Sequence, residues 1–267
     1  MRMTTGADRA PAWYQGEAAD RPGLGRLLYT ADRFPLFYML NLKCGCTFIR
    51  NLLYHLDHDR LHPDSARIHA HDHEFFKAGQ IPDDFIRNSP HFFIVVRDPV
   101  DRFLSLYFDK IADLSNRTDA WMRQRIQKGA GLKIAPDLSL TDHRQNCLKT
   151  LEWFRRNLDD GTEGRTNPHW QRQSHMLTRM LPLEPTLITL DGLSWQLPVV
   201  LESLIPDIRA RMDAVTTRNA SHKLFEPDDF LIPEINESVR EIYAMDTETY
   251  AQTRLTWGEA STTAEYH

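Results

Sequence analysis

The pattern of hydrophobic and polar positions predicts buried strands that alternate with amphipathic helices. Uninterrupted apolar stretches of strand length occur at 34–42 (FPLFYMLNL), 91–96 (HFFIVV) and 186–190 (TLITL). Such stretches are typical of strands that are covered on both faces, as in parallel sheets. The alternation indicates an α/β fold, and we expect a three-layer sandwich with a mostly parallel central sheet.

Helical periodicity follows the predicted strands. After the first strand, apolar residues three and four positions apart mark the inner face of a helix: Ile49, Leu52, Leu53 and Leu56. After the second strand, Asp98 is a helix-capping residue type and Pro99 fits the first helical turn. Further periodic segments predict helices at 142–158, 197–212 and 233–255. The charged segment 121–142, with its Gly-Ala-Gly and Pro, is predicted to be a loop or mobile flap.

Composition narrows the class of protein. With 267 residues, 41% hydrophobic and 26% charged, the chain is typical of a globular protein, and we expect one domain at 34–257 between a polar lead-in (1–33) and a polar tail (258–267). A net charge of −5 argues against bulk nucleic-acid binding. Three cysteines fit a reducing compartment. No signal segment and no run of about 18 apolar residues occurs, so the sequence predicts a cytoplasmic protein without a membrane span.

The segment LKCGCTF (42–48) has the pattern of an anion-binding turn between a strand and a helix. The first turn of a helix has unpaired N–H groups and a partial positive charge. Here those groups belong to Gly45, Cys46, Thr47 and Phe48. Lys43 is placed to reach a bridging or leaving-group oxygen. The motif G-x-x-x-x-G-K-[ST] is absent, which disfavours an ATP-hydrolysing loop. A metal clip through Cys44 and Cys46, a redox pair and a plain packed junction remain alternatives.

A second anion-binding pattern follows the second strand. In VVRDPVDRFLSLYFDK, Arg97 ends the strand and Ser105 comes eight positions later on the next helix. The guanidinium of Arg97 can form a fork with a phosphate, and the Ser105 hydroxyl can donate to the same group. Together the two patterns predict a ligand that carries two separated anionic groups.

These residues resemble the carbohydrate sulfotransferases that use 3′-phosphoadenosine 5′-phosphosulfate (PAPS), family 2 type. The first motif is similar to the family's loop for the 5′-phosphosulfate, which implies cofactor binding by Lys43, Cys44, Gly45, Cys46, Thr47 and Phe48. The second is similar to its 3′-phosphate motif at Arg97 and Ser105. NPHWQRQSHML (167–177) resembles a His-Trp-x-x-Gln segment of the chondroitin and dermatan branch, and EIYAMDTETY a C-terminal Tyr-x-x-Asp helix.

The resemblance, which runs from about residue 34 to 257, implies a P-loop-like nucleotide-binding sulfotransferase fold. It further implies PAPS as co-substrate, no metal, and a soluble, bacterial relative. Two departures occur: Asn41-Leu42 stands before Lys43 where the family often has Pro, and Phe48 replaces the usual Ser. The acceptor implied is a carbohydrate or another hydroxyl-bearing molecule.

Sulfuryl transfer to an alcohol needs a group that accepts the hydroxyl proton. In RIHAHDHEFF, His69, His71 and His73 alternate, so an extended chain would point all three the same way. A His-x-His pair at this place also resembles the uronyl 2-O-sulfotransferase branch. His71 belongs to both possible pairs and is the first candidate, followed by His69; a metal site and plain surface residues are alternatives. His169 is a lower-ranked candidate, with a packed core corner as the alternative.

The polar loop 216–227 contains Arg218, which the resemblance places near the nucleotide, although a plain helix connector is the alternative. The sequence therefore predicts a PAPS-dependent O-sulfotransferase in which Lys43 stabilises the leaving oxygen and His71 or His69 takes the proton. Two other functions fit the same residues: a nucleotide-dependent kinase of related topology, or a non-catalytic sensor of 3′-phosphoadenosine 5′-phosphate (PAP).

Overall fold

A computed structural model describes residues 10–17, 19, 23–116, 118–158, 167–216 and 225–264. The chain folds into two compact units. The first comprises the described residues of 1–96, 176–220 and 253–267, and the second those of 97–175 and 221–252. Each unit has a hydrophobic core of its own.

The first unit contains a five-stranded open sheet, in the order β3-β1-β2-β4-β5 along its width. Its strands are β1 (Leu28–Thr30), β2 (Phe37–Met39), β3 (Phe76–Lys77), β4 (Phe92–Val96) and β5 (Thr186–Thr189). β2 pairs with β4, and β4 with β5, in parallel, whereas β1 is antiparallel to both β2 and β3. The α/β class is therefore confirmed, and the sheet is mixed instead of mostly parallel. The three-layer arrangement stays a prediction.

The antiparallel part of the sheet comes from a strand that the sequence pattern did not predict. β1 lies within the predicted lead-in, yet Leu28, Tyr29 and Thr30 are all buried. Only residues 31–36 separate β1 from β2, and so short a connection can join antiparallel strands but cannot make a parallel crossover. A strand of three residues is also too short to show a period. The domain boundaries at 34 and 257 stay predictions.

The first predicted strand–helix pair is present, whereas the helix predicted at 197–212 is two helices, Leu193–Leu201 and Ile208–Thr216. α1 (Cys46–His58) follows β2, and its four predicted inward positions are all buried: Ile49, Leu52, Leu53 and Leu56. The remaining helices that lie within the described part of this unit are α2 (Asp83–Arg87), α7 (Leu193–Leu201) and α8 (Ile208–Thr216). Because β2 and β4 are parallel neighbours, their carboxyl ends lie at the same edge of the sheet. Ligands of open α/β sheets bind at that edge.

Within its described residues, the regular elements of the second unit are all helical. Its helices are α3 (Pro99–Leu106), a π-helical turn (Tyr107–Ala112), α4 (Ala120–Ala130), α5 (Leu140–Leu158) and α9 (Pro233–Ile242). α6 (Gln173–Met180) and α10 (Ala244–Ala264) begin in it. As predicted, Asp98 caps α3, accepting the N–H groups of Val100 (2.8 Å) and Asp101 (3.3 Å), and Pro99 occupies the first turn.

The segment predicted as a loop or flap is partly helical, so that prediction was wrong for α4. Met122 and Ile126, four positions apart, are buried in the core of the second unit. Between them lie residues with good helix propensity. The Gly-Ala-Gly sequence marks the end of the helix, because Gly131 has φ of +64° and forms its C-cap. The Gly-Ala-Gly sequence was therefore interpreted as part of a loop, whereas its last residue, Gly131, ends a helix.

Candidate active site

The loop at 42–48 has an unusual backbone. Lys43 has φ of +66° and Gly45 has φ of +75°, so two residues of the turn between β2 and α1 are left-handed. A lysine in this region is strained, and such strain concentrates at functional sites. α1 begins at Cys46 with Gly45 as N-cap, a residue with no side chain to accept the first-turn N–H groups. The turn therefore leaves its first backbone donors without a cap side chain, which is the arrangement that the predicted anion-binding turn requires.

Two contacts fix this turn. Gly45 has φ of +75°, and an added Cβ would lie 2.7 Å from Cδ1 of Leu190, so a larger residue would be strained and would require that side chain to shift. Asn41, which is buried, donates from Nδ2 to the carbonyl of Val95 on β4 (3.0 Å) and accepts the N–H of Cys44 on its own carbonyl (3.3 Å). Asn41, two positions before Lys43, thus ties the start of the loop to the sheet.

The cysteines of the loop are structural. Cys44, Cys46 and Cys147 form no disulfide bond with one another and are buried. Burial raises the pKa of the Cys46 thiol, although Lys43 and Arg50 act in the opposite direction. Burial also raises the pKa of Cys147, which lies in α5 of the second unit. A thiol that remains protonated is neither a good metal ligand nor a nucleophile, so cysteine chemistry loses support. Phe48 packs against the core of the first unit.

The three alternating histidines do not share a face. Residues Ser65–Glu74 form 3₁₀ turns with a break at Arg67 and another at His71, so the predicted extended conformation was wrong. His69 contacts the loop: its Nε2 lies 3.1 Å from Oγ1 of Thr47 and 3.5 Å from Sγ of Cys46. The other ring nitrogen, Nδ1, lies 3.0 Å from a guanidinium nitrogen of Arg50.

His71 lies in a separate cluster of ionisable residues. Its Nδ1 is 3.0 Å from Oε1 of Glu74, and its Nε2 is 3.4 Å from Oδ2 of Asp64. The hydrogen bond from Arg67, followed by that from His71, lowers the pKa of Asp64. His62, which is buried, places Nε2 3.3 Å from Oε2 of Glu74. That contact has the distance of an ion pair but not the angles of a hydrogen bond.

Among the described residues, His62, His71 and Glu74 are the group whose spacing would suit a metal ion, with ligand atoms within 4.8 Å of one another. The tautomer of His62 opposes this use. The N–H of Asp64 donates to Nδ1 of His62 (3.0 Å), so a neutral His62 carries its proton on Nε2, the atom that would bind the metal. Metal-binding histidines normally donate from their other nitrogen instead.

Arg50, which the sequence patterns did not single out, is a deeply buried cation near the loop. Its side chain is 2% exposed and is paired with the carboxylate of Asp72. The Tyr29 hydroxyl accepts from the guanidinium (3.2 Å) and donates to the same carboxylate. Lys77 lies over the Tyr29 ring, 3.0 Å from its centroid, and burial lowers the pKa of this lysine to about 8. Position 50 lies one helical turn after Cys46, which is the signal that could have identified it.

In the second unit, the backbone of Arg97 is held by Gln173. The N–H of Arg97 donates to Oε1 of Gln173 (3.0 Å), and Nε2 of Gln173 donates to the Arg97 carbonyl (2.9 Å). Gln173 is buried, and its own N–H and that of Ser174 donate to the two oxygens of Asp246 (both 2.8 Å). Arg97 directly follows β4 in the chain.

The two weaker family motifs therefore form one network. Gln173 ends the His-Trp-x-x-Gln segment, and Asp246 ends the Tyr-x-x-Asp pattern. The hydroxyl of Tyr243, from the same pattern, donates to the carbonyl of Trp170 (2.8 Å). Trp170 is buried and stacks on Phe154, as expected for a packed core corner. Both motifs serve to fix the chain around Arg97.

The other residues predicted from the sequence are Ser105, His169 and Arg218. Ser105 is half-buried on α3. On the same helix, buried Arg102 donates to the carbonyls of Gln171 (2.9 Å) and Pro168 (3.4 Å), a structural role that the sequence patterns did not indicate. His169 donates from its N–H and its Nδ1 to Oδ1 of Asn167 (2.9 and 2.8 Å). Arg218 lies outside the described residues.

Comparison with known proteins agrees with this geometry. A sequence model of the Sulfotransferase family matches residues 26–193, which is more than half of the chain and includes both segments that the sequence predicts to bind anions. The chain therefore belongs to the Sulfotransferase family, and a family 2 sulfotransferase is the type supported. Searches of curated proteins and of solved structures gave no match. Within the described residues, no helix is long and apolar enough to cross a membrane.

Proposed function

We propose that this protein is a PAPS-dependent O-sulfotransferase whose acceptor is a carbohydrate hydroxyl. The observation that carries the proposal is the turn at 43–48, where left-handed Lys43 and Gly45 precede first-turn N–H groups that no cap side chain occupies. In a chain of the Sulfotransferase family, this turn is the natural place for a phosphosulfate.

The residues of the loop suit an in-line displacement. The acceptor oxygen attacks sulfur, the bond between sulfur and the bridging oxygen breaks, and its electron pair goes to the phosphate. Lys43 and the N–H groups of Cys46, Thr47 and Phe48 would stabilise this growing negative charge. Arg97 and Ser105 would bind the 3′-phosphate, which distinguishes PAPS from ordinary nucleotides. Arg97 suits this role because Gln173 fixes its backbone.

Of the two histidines predicted from the sequence, His69 is the one we place at the reacting group. Its Nε2 lies against Thr47 of the loop, whereas both ring nitrogens of His71 face carboxylates. A histidine held between Glu74 and Asp64 is poorly placed to meet a substrate. This proposal therefore places His69, and not His71, beside the reacting group.

Transfer of labelled sulfate tests the proposal. The protein is incubated with ³⁵S-labelled PAPS and a panel of glycans and small alcohols, beside Lys43→Ala and the control Lys128→Ala on the exposed face of α4. We expect labelled product, lost by about 10²–10³-fold in Lys43→Ala, and unchanged in the control. PAP binding without transfer to any acceptor would favour a sensor, and phosphate transfer from ATP would favour a kinase.

A further inference from the structure

We propose that Arg50 is a positioning residue that holds His69 with its proton on Nε2, so that His69 presents a hydrogen-bond donor, and not a base, to the 43–48 loop. The statement about the tautomer stands on contacts within the first unit. Its catalytic consequence rests on the proposed sulfotransferase function.

The tautomer follows from the chemistry of the guanidinium. An arginine has five N–H donors, no acceptor, and remains protonated in proteins. At 3.0 Å, a nitrogen of Arg50 can bond Nδ1 of His69 only if that nitrogen offers its lone pair. A neutral imidazole with a free Nδ1 carries its hydrogen on Nε2. This is the atom 3.1 Å from Oγ1 of Thr47, so the donor of His69 faces the loop.

Arg50 cannot easily turn away from His69. Its guanidinium is buried, paired with Asp72 and bonded to the Tyr29 hydroxyl. The cation also lies over two aromatic rings, 4.9 Å from the centroid of Tyr29 and 4.6 Å from that of Phe75. Charge, hydrogen bonds and packing thus all fix the same orientation.

The opposite tautomer would be unfavourable. With its hydrogen on Nδ1, His69 would point an N–H at the N–H of Arg50, and one contact would be lost. Protonation of Nδ1 would also place a second positive charge beside a buried cation. His69 could accept a proton at Nε2 only if Nδ1 carried a hydrogen, and that hydrogen is unfavourable beside Arg50 in both the neutral and the charged ring.

The chemical consequence is a different role for the histidine. A donor at Nε2 would act with Lys43 on the bridging oxygen as the sulfur–oxygen bond breaks. His69 would take up no proton. The proton of the acceptor hydroxyl would leave to water, so PAPS and alcohol give PAP, the sulfate ester and one released proton.

The tautomer is directly measurable in the full chain without substrate. In long-range ¹H–¹⁵N spectra of ¹⁵N-histidine-labelled protein, the two ring nitrogens of a neutral histidine have distinct shifts. We expect a protonated Nε2 and an unprotonated Nδ1 for His69, identified by the signals that disappear in His69→Gln. His71, whose Nδ1 faces Glu74 instead, is the internal reference. A protonated Nδ1 on neutral His69 would overturn the proposal.

Two substitutions test the catalytic role. The side-chain amide of glutamine can donate where Nε2–H stood, but it cannot act as a base. We expect His69→Gln to keep kcat within about 10-fold of the wild type, and His69→Ala to lose about 10²–10³-fold. If His69 is a base, both variants should lose similar factors, about 10²–10⁴.

The outcomes separate this inference from the function on which it rests. A protein that transfers sulfate but shows the wrong tautomer, or equal losses in both variants, contradicts the role of Arg50 and His69 alone. A protein with the expected tautomer that binds no PAP contradicts the sulfotransferase proposal and leaves the positioning by Arg50 intact. Arg50→Lys is a further test. We expect the shorter side chain of lysine to allow both tautomers of His69 without abolishing folding.

Discussion

The side-chain amide of Gln173 pairs with the backbone of Arg97 on both sides, donating to its carbonyl and accepting its N–H at 2.9 and 3.0 Å. The pairing is the same as that between two adjacent strands, but here a side chain provides it. Asp246 in turn accepts the N–H groups of Gln173 and Ser174. Arg97 is thus oriented by residues some 75 and 150 positions later in the chain, and we infer that this network sets its affinity for phosphate.

Gln173→Ala should weaken PAP binding although Gln173 is not expected to touch the ligand. The substitution removes both bonds to Arg97 and leaves partly buried backbone groups without these partners, at a cost of up to about 1–3 kcal/mol each. We expect at least a 10-fold rise in the dissociation constant, measured by calorimetry with PAP. The control is Gln124→Ala, an exposed glutamine on α4 of the same unit. Equal affinity of the two variants would contradict the role assigned to Gln173.

Gly45→Ala should destabilise the first unit and abolish donor binding. The residue has φ of +75°, and its Cβ would lie 2.7 Å from Leu190. Left-handed strain and overpacking together predict a loss of about 2–5 kcal/mol. Gly131→Ala is the matched control, since it has φ of +64° but nothing within 4 Å, and it should lose only about 1–2 kcal/mol. Urea unfolding compares the two, and Leu190→Ala should partly rescue Gly45→Ala. Equal losses would show that the contact with Leu190 is unimportant.

Asp57 should make the protein less stable as the pH rises from about 4 to 6. Burial raises the pKa of this carboxyl from 3.8 to about 6, although its Oδ1 accepts the N–H groups of Asp32 (2.8 Å) and Arg33 (3.2 Å). In this range the folded state keeps a proton that the unfolded chain has lost, so the carboxyl opposes folding increasingly up to its folded pKa. Asp57→Asn should therefore match the wild type near pH 4 and, after discounting for solvent screening, exceed its stability by about 1–2 kcal/mol at pH 7.

The measurement for Asp57 is urea unfolding of both proteins at the two pH values. Asp142→Asn serves as a control of opposite sign. Hydrogen bonds from Ser139, followed by that from Lys133, lower the pKa of exposed Asp142 to about 2, so its loss should destabilise at pH 7. A difference between Asp57→Asn and wild type that does not change with pH would contradict the assignment.

The group formed by His62, His71 and Glu74 should not hold a transition metal tightly. Binding at Nε2 of His62 would require the bond from the Asp64 N–H to Nδ1 to break. We expect protein purified in the presence of Zn²⁺ and then dialysed to contain far less than one ion per chain by mass spectrometry of the metal. One ion per chain that disappears in His71→Ala would contradict this prediction.

Local pattern was sufficient to predict much of the fold. The period of Ile49, Leu52, Leu53 and Leu56 and the cap at Asp98 are signals within one element, and both are present as predicted. The turn between β2 and α1 was also predictable, since a strand, a glycine and a helix follow one another in the sequence; its binding of an anion stays a prediction. The left-handed lysine of this turn was not predictable, because φ at position 43 depends on how Asn41 and the neighbouring strand hold the loop.

The features that the sequence did not reveal depend on contacts between distant segments. β1 is a strand because β2 and β3 lie on either side of it, and its three residues carry no period of their own. His69 and His71 differ because the 65–74 segment folds into broken 3₁₀ turns, and alternation along the chain cannot distinguish such turns from a strand. The link between Gln173 and Arg97 spans 76 positions. Arg50 is significant only through Asp72, Tyr29 and His69, which no spacing rule connects.

Calorimetry with PAP, compared with ATP plus Mg²⁺, tests the central claim most directly. Arg97→Ala is the paired variant, and Arg125→Ala, an exposed arginine on α4, is its control. The sulfotransferase proposal predicts that the wild type and Arg125→Ala bind PAP without metal, that Arg97→Ala loses this binding, and that ATP plus Mg²⁺ binds weakly or not at all. Preference for ATP plus Mg²⁺, or PAP binding that is unchanged in Arg97→Ala, would contradict it.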